Sequence, residues 1–168
     1  MQPRVLGIDP GLNTTGYGVL EVATGGPVVC EAGVVRGQTR GSLTARLMEI
    51  FEGVSDVIAT LKPTALAIEQ IYSHYQRPRT AILMAHARGV ICLAGSRAGI
   101  PVISYSATQV KKTLTGSGRA SKVQIQLAVQ RELKLRAAPE PHDVSDALAI
   151  ALCHYYSQQA WVVLAKKR

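Results

Sequence analysis

Sulfur ligands and long apolar segments are scarce in this sequence. It has three cysteines, Cys30, Cys92 and Cys153, with no CxxC pair and no close Cys/His spacing. Their odd number and wide spacing favour buried free thiols in a reducing compartment, and they argue against a zinc site. No apolar run approaches the roughly 18 residues of a membrane span, and the first residues lack the apolar core of a signal peptide. We therefore expect a cytoplasmic protein.

Acidic residues are also in the minority. Nineteen Lys and Arg residues face eleven Asp and Glu residues, which gives a net charge of +8 over 168 residues. Such a balance favours a polyanionic partner, nucleic acid above all. The length, the 47% hydrophobic content and the lack of repeats indicate one domain with its own core. We assign residues 1–157 to this domain and 158–168, with Trp161, to a basic C-terminal tail.

The apolar pattern predicts an α/β protein with a mixed sheet. Three strands in a meander come first, followed by alternating helices and strands, and the last third is helical. Ser106 with Gln109 and Ser121 with Gln124 fit capping boxes at two of the helix starts. The predicted strands are 5–9, 16–23, 27–37, 65–69 and 101–105, and the predicted helices are 42–61, 78–98, 107–114, 122–134 and 142–157.

Lone carboxylates stand at the ends of apolar segments. Asp9 closes the strand VLGID and Glu69 closes ALAIE, while Asp143 and Asp146 share one side of the helix PHDVSDALAIALCH. The two aspartates could be ordinary first-turn residues that favour the helix dipole. If all four acids meet, their repulsion calls for divalent cations, and oxygen ligands suit Mg²⁺ or Mn²⁺. Two such ions can activate a water and stabilise the leaving oxygen in phosphodiester cleavage.

A glycine-containing basic loop, LTGSGRASK, could approach a phosphate. Its glycines admit close backbone contact, Arg119 and Lys122 add positive charge, and Lys111 and Lys112 lie on the preceding helix. The alternative is a flexible connection between helices with solvated lysines.

Aromatic and basic residues alternate in EQIYSHYQRPR, beyond the Glu69 strand. Tyr72 and Tyr75 are interleaved with Arg77 and Arg79, a composition that suits stacking on bases or wedging them apart. A packing role for the tyrosines explains the pattern equally well.

Four of these segments resemble a known family. GIDPGLNTTGYGV, AIEQIY, QVKKTLTGSGRASK and HDVSDALAIALCH are similar, in this order and across nearly all of residues 4–157, to the motifs of RuvC-type Holliday junction resolvases. The resemblance implies a ribonuclease H-like fold, in which a five-stranded mixed sheet with its first three strands antiparallel is flanked by helices. It also implies a homodimer, four-way junction DNA as substrate, and RuvA and RuvB branch-migration proteins as partners.

The resemblance also implies roles for individual residues. It makes Asp9, Glu69, Asp143 and Asp146 catalytic acids that bind two Mg²⁺ or Mn²⁺ ions per active site, with Asp9 bridging both, although some relatives have His at the position of Asp143. Lys111 and Lys122 match basic residues near the scissile phosphate, with Lys122 in a catalytic role. Tyr72 matches an aromatic residue that engages the open centre of the junction. The Ala- and Gly-rich helix 78–98 is either the dimer interface or a tightly packed internal helix.

Three alternatives remain beside this interpretation. GIDPG also resembles the first phosphate loop of the actin, Hsp70 and sugar-kinase ATPases, but the motif is not repeated in this chain. A non-catalytic DNA-binding module would not require all four acids. A ribonuclease H acting on RNA–DNA hybrids would share the fold and the metal chemistry. We expect an endonuclease that nicks two opposed strands of Holliday junctions in recombination and repair, leaving 5′-phosphate and 3′-hydroxyl ends.

Overall fold

The computed structural model describes residues 2–37, 40–71 and 78–165, apart from the side chains of residue 78 and of residues 159–165. Within these ranges the chain forms five strands and five helices. In chain order they are β1 (Arg4–Asp9), β2 (Thr14–Ala23), β3 (Gly26–Arg36), α1 (Leu43–Leu61), β4 (Ala65–Glu69), α2 (Pro78–Arg97), β5 (Val102–Tyr105), α3 (Ala107–Thr115), α4 (Lys122–Glu132) and α5 (His142–Ala165).

The strands form one mixed sheet in the order β3-β2-β1-β4-β5. β1, β2 and β3 pair antiparallel through short connections, and β4 and β5 then continue parallel to β1. The helices α1 and α2 supply the crossovers that parallel strands require. The expected mixed sheet with an antiparallel first half is therefore confirmed.

Two hydrophobic layers cover the sheet, because alternate residues of each strand face opposite sides. On one face, Leu6 and Ile8 of β1 pack in a core cluster with residues of α1 and α2. On the other face, Val5 and Ala67 pack in a cluster with α3, α4 and α5. By the same alternation, Asp9 and Glu69 at the strand ends face the α5 side.

Helix α5 lies unusually close to the middle of the sheet. A Cβ atom on Gly7 would stand 2.2 Å from the Ala147 carbonyl oxygen, and one on Gly18 would stand 2.5 Å from Leu148 Cδ2. Glycines at these positions therefore let the helix backbone rest directly on β1 and β2. We call Gly7 and Gly18 the helix-contact glycines. The α5 residues from Ala147 to Cys153 are at most 2% exposed.

The polar caps predicted for two helices are present in different degrees. In α4, the Ser121 side chain accepts from the Gln124 amide and the Gln124 side chain accepts from the Ser121 amide, which completes a capping box. In α3, a fully described helix, Ser106 accepts from the Gln109 amide and the reciprocal bond is not formed. The Ser121 prediction is confirmed, and the Ser106 prediction holds for half of the motif.

Two local expectations need correction. Helix α5 continues to Ala165 instead of ending near residue 157, because the segment SQQAWVVLA contains neither Gly nor Pro to stop it. The division into a domain and a tail at residue 158 stays a prediction. Cys153 is buried as expected, but Cys30 is exposed because it lies on the edge strand β3. No helix in the described part of the chain is long and apolar enough to cross a membrane.

Candidate active site

Two of the four acids leave the sheet side by side. Strands β1 and β4 are parallel neighbours with Ile8 paired to Ile68, so Asp9 and Glu69 follow at the same edge. Both side chains face α5, and both are partly buried. The strand ends thus place two carboxylates beneath the first turns of that helix.

The other two acids come from α5 itself. Asp143 and Asp146 lie in its first turns, three residues apart and therefore on one side of the helix. Gly16, which pairs with Asp9 across the sheet, makes this approach possible. A Cβ atom on Gly16 would stand 2.0 Å from the Asp143 carbonyl oxygen. Only glycine at this position lets α5 begin directly above Asp9.

The four acids share one cavity of about 440 Å³. Its wall combines carboxylates with two of the predicted lysines and with apolar residues of α3, α4 and α5. The polar lining residues are Asp9, Glu69, Lys111, Lys122, Asp143 and Asp146.

Burial and mutual repulsion act strongly on the central carboxylate. Burial, and then the charges of Glu69, Asp146 and Asp143, raise the pKa of Asp9 from 3.8 to about 8, while Lys122 acts in the opposite direction. Burial and the charge of Asp146 also raise the pKa of Glu69. Burial likewise raises the pKa of Asp146, against the opposing effect of Lys122. The site thus concentrates negative charge that has to be compensated.

Lys122 is the nearest cation to this cluster. Its Nζ lies 3.9 Å from Asp146 Oδ2, and 74% of its side chain is exposed to solvent. At that exposure the ion pair contributes little stability. The amine is instead free to contact a phosphate placed over the acids. Lys111 reaches the same cavity from α3.

The donor set fits a divalent cation by its chemistry. Mg²⁺ and Mn²⁺ prefer oxygen ligands, and the cavity brings four carboxylates together. Among the described residues, no three His, Cys, Asp or Glu side chains converge closely enough in this conformation to hold an ion by themselves. All four carboxylates nevertheless line one cavity of about 440 Å³, so an ion bound there would have each of them close by.

Three further predicted DNA contacts do not line this cavity. Lys112, Arg119 and Arg79 are exposed, and none of them lines it. Tyr72, Tyr75 and Arg77 lie outside the described residues. The structure therefore gathers the acids with Lys111 and Lys122, and the roles of the other side chains stay predictions.

One supporting residue was not singled out by the sequence pattern. Arg88 of α2 donates from Nε to the Glu69 carbonyl oxygen at 3.1 Å and from Nη2 to Ser104 Oγ at 2.6 Å. It ties the ends of β4 and β5 together from the opposite face of the sheet. An arginine near the middle of a helix of small residues was the available signal, and it does not specify a partner.

The fold and the cavity together define a class of protein. A five-stranded mixed sheet of the ribonuclease H type with acids gathered at one end of its strands is the framework of a metal-dependent nuclease. The family model described as crossover junction endodeoxyribonuclease RuvC matches residues 5–154. The chain belongs to this family. Family membership implies dependence on a divalent metal, and it sets aside the ATPase alternative.

Individual relatives agree with this assignment. A crossover junction endodeoxyribonuclease RuvC from Rhodopirellula baltica is 56% identical over 154 residues, covering 90% of this chain and 85% of the relative. The Thermus thermophilus RuvC structure is 34% identical with a TM-score of 0.86, covering 94% of this chain and 96% of that one. The structure of T. thermophilus RuvC in complex with a Holliday junction substrate is 31% identical, with a TM-score of 0.84 and the same coverage.

Proposed function

We propose that this chain resolves Holliday junctions by nicking two opposed strands. The observation that carries the proposal is the single cavity that gathers Asp9, Glu69, Asp143 and Asp146 under the exposed amine of Lys122. The net charge of +8 suits a polyanionic substrate. The likeness to a relative solved with a Holliday junction selects the four-way junction among such substrates.

Asp9 would be the shared ligand of two Mg²⁺ or Mn²⁺ ions. It lies between Glu69 on the neighbouring strand and the two aspartates above it on α5. Two ions bound there would supply an activated water and stabilise the leaving oxygen. Burial and the neighbouring carboxylates raise the pKa of Asp9, and a bound cation would offset both effects and release the Asp9 proton.

Lys122 would neutralise the phosphate that is cut. Its amine stands 3.9 Å from Asp146 and is held by one weak contact, so it can turn toward a phosphate at low cost. Lys111 would add a second charge from α3. Lys122→Ala should therefore slow cleavage more than it weakens junction binding, and equal losses would reduce Lys122 to a docking charge.

Tyr72 would engage the open centre of the junction, as its position in the family motif suggests. Tyr75, Arg77 and Arg79 would contact the DNA beside it. Tyr72→Ala should lower the cleavage rate of junctions more than the affinity for linear duplex, and an unchanged junction rate would contradict the wedge role.

A homodimer would present two equivalent sites to the two opposed strands. The outward side of α2 supports this proposal, because Ile82 is 57% exposed and Leu93 is 52% exposed, and Gly89 between them has open space at its Cβ position. Ile82→Glu should shift the protein toward monomer in sedimentation experiments. Val123→Glu, which places the same charge at another exposed apolar site, is the matched control. RuvA and RuvB as partners and the cytoplasmic location stay predictions.

The decisive experiment offers a synthetic four-way junction, a matched linear duplex and an RNA–DNA hybrid to the wild type and to Asp146→Asn. Each is incubated with EDTA, Mg²⁺ or Mn²⁺, and the cuts are mapped on every strand. Paired metal-dependent nicks in the junction alone, lost in the variant while binding persists, are the expected result. Cleavage of the hybrid would favour a ribonuclease H activity, and binding without cleavage would favour a non-catalytic module.

A further inference from the structure

The end of β3 reaches the catalytic edge of the sheet. Asp9 pairs with Gly16, Gly16 pairs with Val34, and Arg36 is two residues beyond Val34 in the direction of that edge. β3 is the outermost strand on this side, two strands from Asp9. Arg36 therefore stands at the same end of the molecule as the four acids.

The side chain of Arg36 faces the same side of the sheet as those acids. Val34 packs in the core cluster that contains α5, whereas Val35 packs in the cluster with α1 and α2. Because side chains alternate along a strand, Arg36 follows Val34 onto the α5 face. This is the face toward which Asp9 is directed.

The distance between Arg36 and Asp9 suits a DNA strand that passes over the acids. Two strand separations across the sheet are about 10 Å, and two residues along β3 add about 7 Å, which gives roughly 12 Å between the Cα atoms of Arg36 and Asp9. Phosphates along one DNA strand follow each other at about 3.4 Å of helix axis. Arg36 is thus within reach of phosphates about three to four nucleotides from the one above Asp9.

The positive charges of Arg36 and Arg40 have no acidic partner among the residues that the structure describes. The side chains of Arg36 and Arg40 are both exposed, and neither side chain forms a hydrogen bond or ion pair with any residue that the structure describes. The lysines of the cavity, Lys111 and Lys122, belong to α3 and α4, which follow β5 at the opposite edge of the sheet. Cations therefore flank the acids on both sides.

The chain at the end of β3 packs against the turn that follows Asp9. The Gly37 amide donates to the Asn13 carbonyl oxygen at 3.3 Å, and Arg46 of α1 donates to the Asn13 side chain. A Cβ atom on Gly37 would stand 3.0 Å from the Leu12 carbonyl oxygen, so the two segments touch. Pro10 and Gly11 of the same turn line the cavity. The position of Arg36 is thus coupled to the position of the acids.

We propose that Arg36 and Arg40 bind backbone phosphates of the DNA arm that leaves the active site over β3, opposite Lys111 and Lys122. This inference rests on the proposed function, since it takes junction DNA as the substrate. The competing role is protection of an edge strand, where charged side chains commonly prevent pairing with other chains. That role predicts aggregation in the variants and no change in DNA affinity.

The test measures junction affinity against salt concentration in EDTA, where the junction is not cut. Arg36→Gln should lower the affinity about fivefold and reduce the slope of log affinity against log salt by about one, and Arg36→Gln with Arg40→Gln should reduce it by about two. Arg36→Lys keeps the charge and should retain the slope. Arg136→Gln removes the same charge from an exposed position in the loop after α4, and it should leave the slope unchanged.

Neutral methylphosphonate linkages introduced one at a time locate the contact. Wild type should lose affinity at phosphates a few nucleotides to one side of the cut, and Arg36→Gln should be insensitive to the same linkages. An unchanged slope for the double variant, with wild type that binds and cuts junctions, would overturn the inference and leave the proposed function standing. Wild type that neither prefers nor cuts junctions would instead refute the proposed function.

Discussion

The two ends of the sheet share strands β1 and β4 and helix α5, yet they form opposite environments. At one end Asp9, Glu69 and the first turns of α5 surround a charged cavity of about 440 Å³. At the other end β1, β4, β5 and the later turns of α5 surround a mainly apolar cavity of about 770 Å³ that includes Val5, Ile103 and Tyr155. The scaffold sets the positions of the strand ends, and the residues placed there decide whether an end carries chemistry.

Burial disfavours charge at both ends, with different results. At the catalytic end it raises the pKa of Asp9, a group whose charge the proposed function requires. At the opposite end it lowers the pKa of His154, whose ring shares a 2.9 Å hydrogen bond with the Tyr105 hydroxyl and is stable in its neutral form. The catalytic end therefore costs stability that the opposite end does not, in keeping with the usual conflict between function and stability.

The largest expected effect is the loss of cleavage in Asp9→Asn. Removing the central carboxylate should reduce the single-turnover rate on a four-way junction about a thousandfold or more, equivalent to roughly 4 kcal/mol of barrier. The same change should raise the free energy of unfolding in EDTA, because it removes a buried and repelled charge. Chemical denaturation checks the second part. If Asp9→Asn cuts the junction at the wild-type rate, the cavity that contains Asp9 is not the site of cleavage.

The next effect concerns the helix-contact glycines, which lie between the two ends of the sheet. Gly7→Ala should lower the free energy of unfolding by about 3 kcal/mol or more, because the new methyl group would overlap the Ala147 carbonyl oxygen. Gly25→Ala is the control, since no atom lies within 4 Å of its Cβ position. Urea denaturation of both variants gives the comparison. Equal stabilities would mean that α5 does not rest on β1 as described.

A more gradual effect is the pH dependence of stability, which should have opposite signs for Asp9 and His154. Folded protein keeps the Asp9 proton up to a pKa of about 8, whereas the unfolded chain releases it near 3.8, so stability in EDTA should fall as pH rises through this interval. The loss over the whole interval should be on the order of 5 kcal/mol. His154 acts in the opposite sense, and its lowered pKa removes stability as pH falls below about 6.5. Thermal denaturation from pH 5 to 9 measures both trends.

Two further measurements test whether Asp9 causes the loss of stability at high pH. Asp9→Asn should flatten the loss at high pH without affecting the low-pH trend. Mg²⁺ at pH 8 should restore stability to the wild type more than to this variant. A wild-type profile that matches the variant at every pH would show that Asp9 titrates normally.

The smallest effect is expected at the hydrogen bond of His154, a residue that lines the opposite cavity. Tyr105→Phe removes the hydrogen bond to His154 and should cost about 1 kcal/mol of unfolding free energy. Cleavage of the junction should stay within about twofold of wild type, because neither Tyr105 nor His154 lines the cavity of the acids. A large loss of rate at unchanged stability would mean that the Tyr105 hydroxyl helps to position Glu69, its partner on the neighbouring strand.

Much of this architecture was predictable from local sequence. Strands such as VLGID and ALAIE are short, apolar and bounded by turn residues, so the sequence indicates both their type and their limits. The position of acids at strand ends indicated one shared site, and the structure places all four around one cavity. These features depend on residues close in sequence or on the general rule that ligand sites form at strand ends.

Features that depend on contacts between distant residues were not predictable. The Arg88 bond to the Glu69 carbonyl oxygen and the approach of Asp143 to Gly16 arise only when α2 and α5 dock on the sheet. The exposure of Cys30 follows from the edge position of β3, which the strand's own composition does not reveal. The length of α5 was missed because its later residues have no clear periodicity, although they contain no helix breaker.

The placement of the acids on α5 and on β1 has a consequence for biosynthesis. Asp9 emerges early from the ribosome, whereas Asp143 and Asp146 are translated near the end of the sequence and must then dock over Gly16. A partly synthesised chain without α5 therefore lacks two of the four acids of the cavity. A complete cavity therefore requires a contact between residues more than a hundred positions apart in the chain.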